Sequence, residues 1–382
     1  MHAIFVSSHP QPIHLLPFLV FLIPKGYSKV KKLSSILYCS VFFLLISMPL
    51  VLMPMANNQP TENRLLAPIP ELFKNGSFNL SAPIETEEYF RDHFAGRTQM
   101  IDAYSRLVGS LFTVSANDRV IMGRDGFLFF HETIGDYDGS AALSDFEMEG
   151  LIRELIEIKQ AAQLREQLLL IAVAPNKNTL YGEYMPQRYA KTNEPTNLDR
   201  LLAVEELDFI DLHAALLGAG QTVYYKTDSH WNALGARIAA REIIAAIEEK
   251  TGVKTTFDWD SAAFDDAFIV GDLGRMLYPA NPPREESRFY EDARQSYSTI
   301  GRFRSLDDLR ITTESDAAPL RIAIYRDSFA EALIPYISNA FSNVYYTRQT
   351  PPPLDSTEFL QADVIVLQIA ERRISELIGI GG

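Results

Sequence analysis

Residues 167–174 read QLLLIAVA, and this stretch decides the fold. It is a nearly continuous apolar run in which Gln167 is the only polar residue. Such a run is typical of a strand that is buried on both faces of a parallel sheet. A strand of this kind needs a layer of helices on each face, so we expect a layered α/β domain.

Outward from that strand, apolar runs and helical patterns alternate along the chain. The further predicted strands are 207–212, 321–325 (RIAIY), 344–347 and 364–369 (VIVLQI), and the predicted helices are 146–164, 233–250 and 330–341. This alternation predicts a mostly parallel sheet flanked by helices. Residues 255–319 are polar and irregular, and we interpret them as an insertion or a lid-like segment.

The region before the alternation has a different character. Residues 120–130, VIMGRDGFLFF, predict a hairpin because their Asp-Gly pair favours a tight primed turn. Residues 84–110 have the apolar spacing of a helix, whereas residues 56–83 begin rich in Pro and Asn and are typical of a linker. We therefore expect one α/β domain over residues 84–382.

An uncharged apolar run lies near the N-terminus. Residues 33–53 have about the ~20 residues that a membrane-spanning helix needs, and lysines precede them at positions 25–32. No acidic residue precedes Glu62, so the positive-inside rule predicts a cytoplasmic N-terminus and an exported body. We predict a single-pass inner-membrane signal-anchor at 33–55, uncleaved because no small-x-small site follows it. A buried core helix is the alternative.

Residues 1–32 would then form a cytoplasmic segment. Their apolar part is too short to span a membrane and is interrupted by Pro17. A start codon upstream of the true one would explain this segment, and Val30 would make a conventional start for a signal-anchor.

Composition excludes several classes of function. The net charge is −14, and the first 60 residues contribute four lysines and no acids, which leaves −18 for the rest. We expect no nucleic-acid partner, because phosphate binding needs clustered cations. The single cysteine, Cys39, lies in the apolar run, so the body has no disulfide and no thiolate metal site.

Motifs for metals and nucleotides are missing as well. The sequence has no zinc-protease, Walker or dinucleotide motif, and we expect neither a metal nor a cofactor. The stretch GDLG at 271–274 has too few glycines for a phosphate loop, and we interpret it as a turn.

Residues 225–232, YKTDSHWN, place Asp228 and His230 two residues apart just before a predicted helix. An extended backbone would direct both side chains to one face. A carboxylate beside an imidazole is the arrangement of a catalytic general base. The alternative is that Asp228 only caps the following helix. His213, with Asp211 before it, is a weaker candidate for the general base.

Ser328, in the stretch YRDSF at 325–329, follows a predicted strand and opens a predicted helix. Its hydroxyl would lie at the carboxyl end of the strand, where open α/β sheets bind ligands. The N–H groups of the helix start are then available to an oxyanion. The alternative is that Asp327 or Ser328 only caps that helix. Asn176 and Lys177 follow the 167–174 strand at the same edge, and they either contact substrate or merely begin a loop.

These motifs, in this order, resemble the alginate O-acetylation proteins AlgJ and AlgX. The resemblance extends from about Glu62 to Arg373 and rests on ENRLLAP (62–68), YFRDHF (89–94), VIMGRDGFLF (120–129), APNK (174–177), TDSHWN (227–232) and DSF (327–329). It implies a circularly permuted SGNH hydrolase-like fold and a triad of Ser328, His230 and Asp228. SGNH-type serines usually follow Gly-Asp, whereas Arg326 stands at the glycine position here.

That departure affects the oxyanion hole, to which we assign only the Ser328 N–H. Glycine tolerates backbone conformations that arginine does not. Arg326, together with Asn176 and Lys177, is a candidate substrate-binding residue.

The resemblance also implies an activity. It predicts an O-acetyltransferase that moves an acetyl group through a serine ester to hydroxyls of an exopolysaccharide such as alginate, with a membrane-bound partner supplying the acetyl group. The chain ends soon after its last strand, so the expected architecture is closer to AlgJ than to AlgX, which appends a carbohydrate-binding module. The alternatives are a non-catalytic polysaccharide-binding scaffold and a polysaccharide acetylesterase.

Overall fold

The computed structural model describes residues 28–53, 66–74, 76–257, 259 and 263–380. The predictions for residues 1–27, for the end of the anchor at 54–55 and for the first part of the 56–83 linker, residues 56–65, lie outside the described residues. The chain divides into two compact units, and the first helix, α1 (Ser28–Leu52), belongs to the smaller one.

Helix α1 covers most of the predicted anchor. Its large apolar side chains are exposed, among them Ile36, Phe43 and Leu45. Across the residues described, no helix is both long enough and apolar enough to cross a membrane. The anchor at 33–55 stays a prediction.

The body is built from short strands and helices in alternation. The strands are β1 (Phe73–Lys74), β2 (Ser77–Phe78), β3 (Val120–Met122), β4 (Leu128–Phe130), β5 (Leu168–Ala174), β6 (Phe209–Ile210), β7 (Phe264–Val270), β8 (Arg284–Tyr290), β9 (Ser298–Ile300), β10 (Arg310–Glu314), β11 (Ala318–Tyr325), β12 (Phe341–Thr347) and β13 (Val364–Ala370). The helices are α2 (Ala82–His93), α3 (Arg97–Phe112), α4 (Ile134–Asp138), α5 (Asp145–Gln163), α6 (Lys177–Leu180), α7 (Asn197–Leu202), α8 (Leu212–Leu217), α9 (Ala233–Thr251), α10 (Asp272–Leu277), α11 (Ile334–Ala340) and α12 (Thr357–Leu360).

A seven-stranded sheet with the order β6-β5-β13-β11-β12-β10-β9 forms the centre of the body. From β6 to β12 all neighbouring strands are parallel. At the other edge, β10 is antiparallel to β12 and β9 is antiparallel to β10. The predicted mostly parallel sheet is confirmed, and its parallel strands end together at one edge.

The two faces of β5 explain its unbroken apolar sequence. Leu170 and Ala172 pack into a core cluster that includes residues of α9 and α11. Leu169 and Ile171 pack into a second cluster on the opposite face, with residues of α5 and α7. Each face of the strand is therefore buried under helices, as the 167–174 pattern predicts.

The hairpin at 120–130 is confirmed. Strands β3 and β4 pair antiparallel, with Met122 opposite Leu128. Asp125 and Gly126 have φ values of 54° and 81°, the positive values that a primed turn requires at its two central positions.

Two predictions need correction. The helix at 84–110 is in fact two helices, α2 and α3, which end at His93 and begin at Arg97, respectively. Between them Gly96, the N-cap of α3, has a left-handed backbone with φ of 82° that a continuous α-helix does not contain. Residues 255–319 are not an irregular insertion. They contain the β7–β8 hairpin, helix α10, and the last two strands at one side of the central sheet, β10 and the edge strand β9.

Candidate active site

Ser328 lies at the carboxyl end of β11, where it opens the 3-10 turn Ser328–Ala332. The preceding Asp327 is the cap of this turn, since its Oδ1 accepts the Phe329 N–H at 2.9 Å. Its Oδ2 accepts the N–H of Ala370, the last residue of β13, at 2.6 Å. Asp327 therefore fastens the serine loop to the neighbouring strand and leaves the Ser328 hydroxyl for other contacts.

The Ser328 hydroxyl belongs to a hydrogen-bonded array of three side chains. Its Oγ lies 2.8 Å from His230 Nε2, and His230 Nδ1 lies 2.7 Å from Asp228 Oδ1. A carboxylate can only accept here, so we assign the imidazole proton to Nδ1, which leaves Nε2 to accept from the hydroxyl. This arrangement can take the proton from Ser328 and activate its oxygen as a nucleophile.

A tight loop brings Asp228 and His230 together. Tyr224 and Trp231 form an antiparallel bridge at its base, and the His230 N–H donates to Asp228 Oδ1 at 2.9 Å. Helix α9 begins after this loop and is capped by Asn232, whose Oδ1 accepts the Gly235 N–H at 2.9 Å. Asp228 as a mere cap of α9 is therefore wrong, because Asn232 has that role.

Asp272, which the sequence analysis assigned only to a turn, supports this loop from α10. Its N–H donates to Asp228 Oδ2 at 2.9 Å. Its carboxylate accepts the Ser229 N–H at 2.7 Å and the Ser229 hydroxyl at 2.5 Å. A Cβ on the preceding Gly271 would lie 2.2 Å from the Thr227 carbonyl oxygen. Glycine is therefore required for this close approach of the two backbones.

Lys177 binds the backbone of the same loop. It is buried, and its Nζ donates to the carbonyl oxygens of Tyr225 and Lys226 at 3.0 Å each and of Asp228 at 2.6 Å. Burial lowers the pKa of Lys177 to about 8, against the nearby carboxylates of Asp228, Asp272 and Glu285, which raise it.

Asn176 and Arg326 are also buried. Asn176 donates its backbone N–H to Glu371 Oε2 at 2.7 Å and its side-chain amide to Asp136 Oδ2 at 2.8 Å. Burial raises the pKa of Glu371 to about 7 and that of Asp136 to about 6. Arg326 donates to the carbonyl oxygens of Leu306 at 2.5 Å and Asp308 at 3.0 Å. Both side chains therefore donate hydrogen bonds to other groups of the protein.

Opposing effects set the charge state of the Asp–His pair. Burial lowers the pKa of His230, but the hydrogen bond and charge of Asp228 and the charge of Asp272 outweigh it, so the net shift is upward. For Asp228, burial raises the pKa, whereas the hydrogen bond and charge of His230 lower it below its usual value. Asp228 is therefore ionised at neutral pH and stabilises the imidazolium that forms when His230 accepts a proton.

Arg372, at the end of β13, is a charged neighbour that the sequence analysis did not select. Its guanidinium lies over the rings of Phe329, at 5.4 Å, and Phe130, at 5.5 Å. The Phe329 ring is 4.8 Å from the His230 ring, and the positive charge of Arg372 lowers the pKa of His230. Its position two residues after β13 is the sequence feature from which its place at this edge could have been predicted.

Asp228, His230 and Asp272 also have the composition of a metal site, with ligand atoms within 4.8 Å of one another. The hydrogen bond from His230 Nδ1 to Asp228 and the two bonds from Ser229 to Asp272 already use these atoms. The donor set therefore fits the positioning of an imidazole better than the binding of a cation. The rival pair differs, because Asp211 caps α8 through the Ala214 N–H and His213 lies within that helix.

Comparisons with known proteins show which domains this chain is similar to. A family model described as an SGNH hydrolase-like domain of the acetyltransferase AlgX matches residues 120–299. This range includes Asp228 and His230 and ends before Ser328.

Two curated relatives are probable alginate O-acetylases AlgJ. The protein of Pseudomonas syringae pv. tomato is 27% identical over 220 residues, which cover 54% of this chain and 52% of that one. The protein of Pseudomonas aeruginosa is 30% identical over 137 residues, which cover 34% of this chain and 33% of that one. The chain thus matches between a third and about half of the length of these relatives.

A solved structure, that of Bacillus cereus PatB1, superposes with a TM-score of 0.53. It is 15% identical in sequence and covers 67% of this chain and 96% of its own, so it supports the fold alone. The SGNH hydrolase-like α/β fold with a central sheet is confirmed. Residues 120–299 are thus similar to the SGNH hydrolase-like domain of the AlgJ/AlgX proteins.

Proposed function

We propose that this chain is an O-acetyltransferase that moves an acetyl group through Ser328 to hydroxyls of an exopolysaccharide such as alginate. The observation that carries the proposal is the continuous hydrogen-bonded array from Asp228 through His230 to Ser328. The relatives named as probable alginate O-acetylases support both the reaction class and the polymer.

In the first half-reaction, Ser328 Oγ attacks the carbonyl carbon of the acetyl donor while His230 Nε2 takes the hydroxyl proton. The tetrahedral intermediate then collapses, the bond to the donor's leaving group breaks, and His230 returns the proton to that group. Asp228 holds the imidazole tautomer and stabilises its positive charge. The N–H of Ser328, at the start of the 3-10 turn, is our assigned donor to the oxyanion.

In the second half-reaction, a sugar hydroxyl replaces the leaving group. His230 Nε2 takes its proton as the sugar oxygen attacks the acetyl-serine carbonyl. Collapse of the second intermediate transfers the acetyl group to the sugar, and the proton returns to Ser328 Oγ. Water in place of the sugar would give net hydrolysis, which is the acetylesterase alternative.

Asn176, Lys177 and Arg326 act in this proposal as positioning residues. Lys177 fixes the carbonyl oxygens of the loop that carries Asp228. Arg326, in the position of the usual glycine, uses its side chain to hold the loop around residues 306–308 beside the serine. Because the Asn176 amide N–H, the Lys177 ammonium and the Arg326 Nη2 donate to protein groups, we propose that these residues position the site and do not contact the substrate.

We further propose that residues 33–55 anchor the chain in the inner membrane, with the body in the periplasm and the acetyl group supplied by a membrane-bound partner. The uncharged run with lysines on one side supports the anchor and its orientation. The exposure of the apolar side chains of α1 is consistent with it. A partner is required because acetyl-CoA is not available outside the cytoplasm.

Serine-directed labelling tests the reaction class. The unaltered protein should react with a fluorophosphonate probe and release nitrophenol from nitrophenyl acetate. Ser328→Ala should lose the label and reduce turnover at least ~10³-fold, as expected when a triad nucleophile is removed. Ser110→Ala, at an exposed serine of α3, is the matched control and should behave like the unaltered protein.

Two outcomes would favour the alternatives. No labelling and no turnover by the unaltered protein would favour the scaffold. Loss of acetyl groups from acetylated polymer, with no gain by bare polymer in the presence of a donor, would favour the esterase.

A further inference from the structure

A basic groove lies beside the loop between β9 and β10. Its volume is about 360 Å³, and it is lined by Arg302, Arg304, Asp308, Leu309 and Arg310. Three arginines and one aspartate therefore meet in a body whose overall balance is −18. The groove is a local exception to the acidic character of the chain.

The single carboxylate of the groove is engaged within its own loop. Asp308 accepts the Arg304 side chain at 2.8 Å and the Arg304 backbone N–H at 2.6 Å. Arg310 donates to Gln349 Oε1 at 2.6 Å, a bond that leaves its positive charge uncompensated. Arg302 and Arg310 are exposed, so both guanidinium groups are accessible to a ligand.

The groove lies at the edge of the sheet that carries Ser328. The loop that lines it accepts hydrogen bonds from Arg326, two residues before the serine. The Leu309 carbonyl oxygen accepts the N–H of Arg348 at 2.9 Å, just after the carboxyl end of β12. Arg348 also lies 3.4 Å from Glu331, in the same 3-10 turn as Ser328. These contacts connect the groove wall directly to the turn that presents the nucleophile.

We propose that this groove is the acceptor subsite of the transferase and binds the carboxylates of an anionic, uronate-containing polysaccharide. The proposal rests on the proposed function, because it assigns the groove to the acceptor of the same reaction. Guanidinium groups bind carboxylates with charge-assisted and often bidentate hydrogen bonds. Leu309, 53% exposed, adds apolar surface for the carbon face of a sugar ring.

Equilibrium binding of an oligouronate tests the subsite without any need for turnover. The assay compares four purified proteins: the unaltered chain, the double variant Arg302→Glu/Arg310→Glu, the single variant Arg153→Glu and the variant Ser328→Ala. Arg153 is the matched control, because it is an exposed arginine on α5, which packs against β5 near the opposite edge of the sheet. A neutral oligoglucan of equal length is the control ligand.

We expect charge reversal in the groove to weaken oligouronate binding by about tenfold or more, since it replaces attraction by like-charge repulsion. Arg153→Glu and Ser328→Ala should bind like the unaltered chain, and added salt should weaken binding. Equal affinity of the double variant and the unaltered chain would overturn the subsite, as would equal affinity for the neutral oligoglucan. Failure of the proposed function would appear separately, as absence of Ser328 labelling in the unaltered chain.

Discussion

At the level of single residues, the proposed activity depends on the protonation state of His230. Nε2 must be unprotonated to accept the Ser328 proton, and the pKa of His230 is raised by Asp228 and Asp272. Activity should therefore fall as the pH drops through this raised pKa. The positive charge of Arg372 opposes the shift, because it lowers the pKa of His230.

Arg372→Gln should move the acid limb of the pH profile of kcat/KM to higher pH. Removal of a nearby positive charge stabilises the imidazolium, so the pKa of His230 rises further and less of the base is available at a given pH. Arg372→Lys keeps the charge and should retain the original limb. The measurement is nitrophenyl acetate turnover from pH 5 to 9, and an unchanged acid limb in the Gln variant would contradict this role.

The sequence pattern selected the three side chains that the structure brings together, and it missed supporting residues that are distant in the chain. Asp228 and His230 are two residues apart, and Ser328 follows a clear strand, so both positions stood out. Asp272 contacts the Asp228 loop from 44 residues away in the chain, and no local pattern shows that contact. Arg326, as a substitute for glycine, could be noticed but not explained until its carbonyl partners were known.

At the level of elements, α10 and the Asp228 loop form one unit through the close approach at Gly271. Gly271→Ala should reduce activity by about 10²-fold, the cost expected when catalytic groups shift by ~1 Å. The added Cβ would meet backbone atoms of Thr227 and Asp228, which cannot move without displacing the carboxylate. Overpacking should also lower the free energy of unfolding by ~1–3 kcal/mol.

The matched control for this variant is Gly150→Ala in α5, where the nearest atom to a new Cβ is the end of the Arg153 side chain at 3.9 Å. It should retain activity and gain up to ~1 kcal/mol, because alanine is favoured over glycine inside helices. Turnover and urea unfolding of both variants provide the test. Full activity in Gly271→Ala would show that α10 does not position Asp228.

The strands that could be predicted from the sequence are the buried ones. Strands β5, β11 and β13 are buried and apolar, and their sequences were sufficient. Strands β9 and β10 lie at one edge of the sheet and have the polar sequences STI and RITTE. Strand β10 pairs with β12, and β9 pairs with β10. The register of these strands depends on contacts that are distant in the sequence. The local sequence of the region therefore indicates irregular structure.

At the level of the whole molecule, the proposed anchor determines where the chemistry takes place. Deletion of residues 33–53 from the full chain should release the protein from the membrane fraction if, as we propose, this apolar run is the anchor. Turnover of nitrophenyl acetate should remain, since the body contains the Asp228–His230–Ser328 array. Fractionation followed by immunoblotting is the measurement, and a full-length chain found only in the soluble fraction would contradict the anchor.

The central claim is that acetyl transfer proceeds through an ester on Ser328. Its most direct test is mass spectrometry of the intact protein and its peptides after incubation with nitrophenyl acetate in the absence of polysaccharide, with rapid acid quench. We predict one added acetyl group, located on Ser328, which disappears when uronate polymer is supplied as the polymer gains acetyl groups. An unmodified Ser328 during active turnover, or undiminished turnover in Ser328→Ala, would contradict the account.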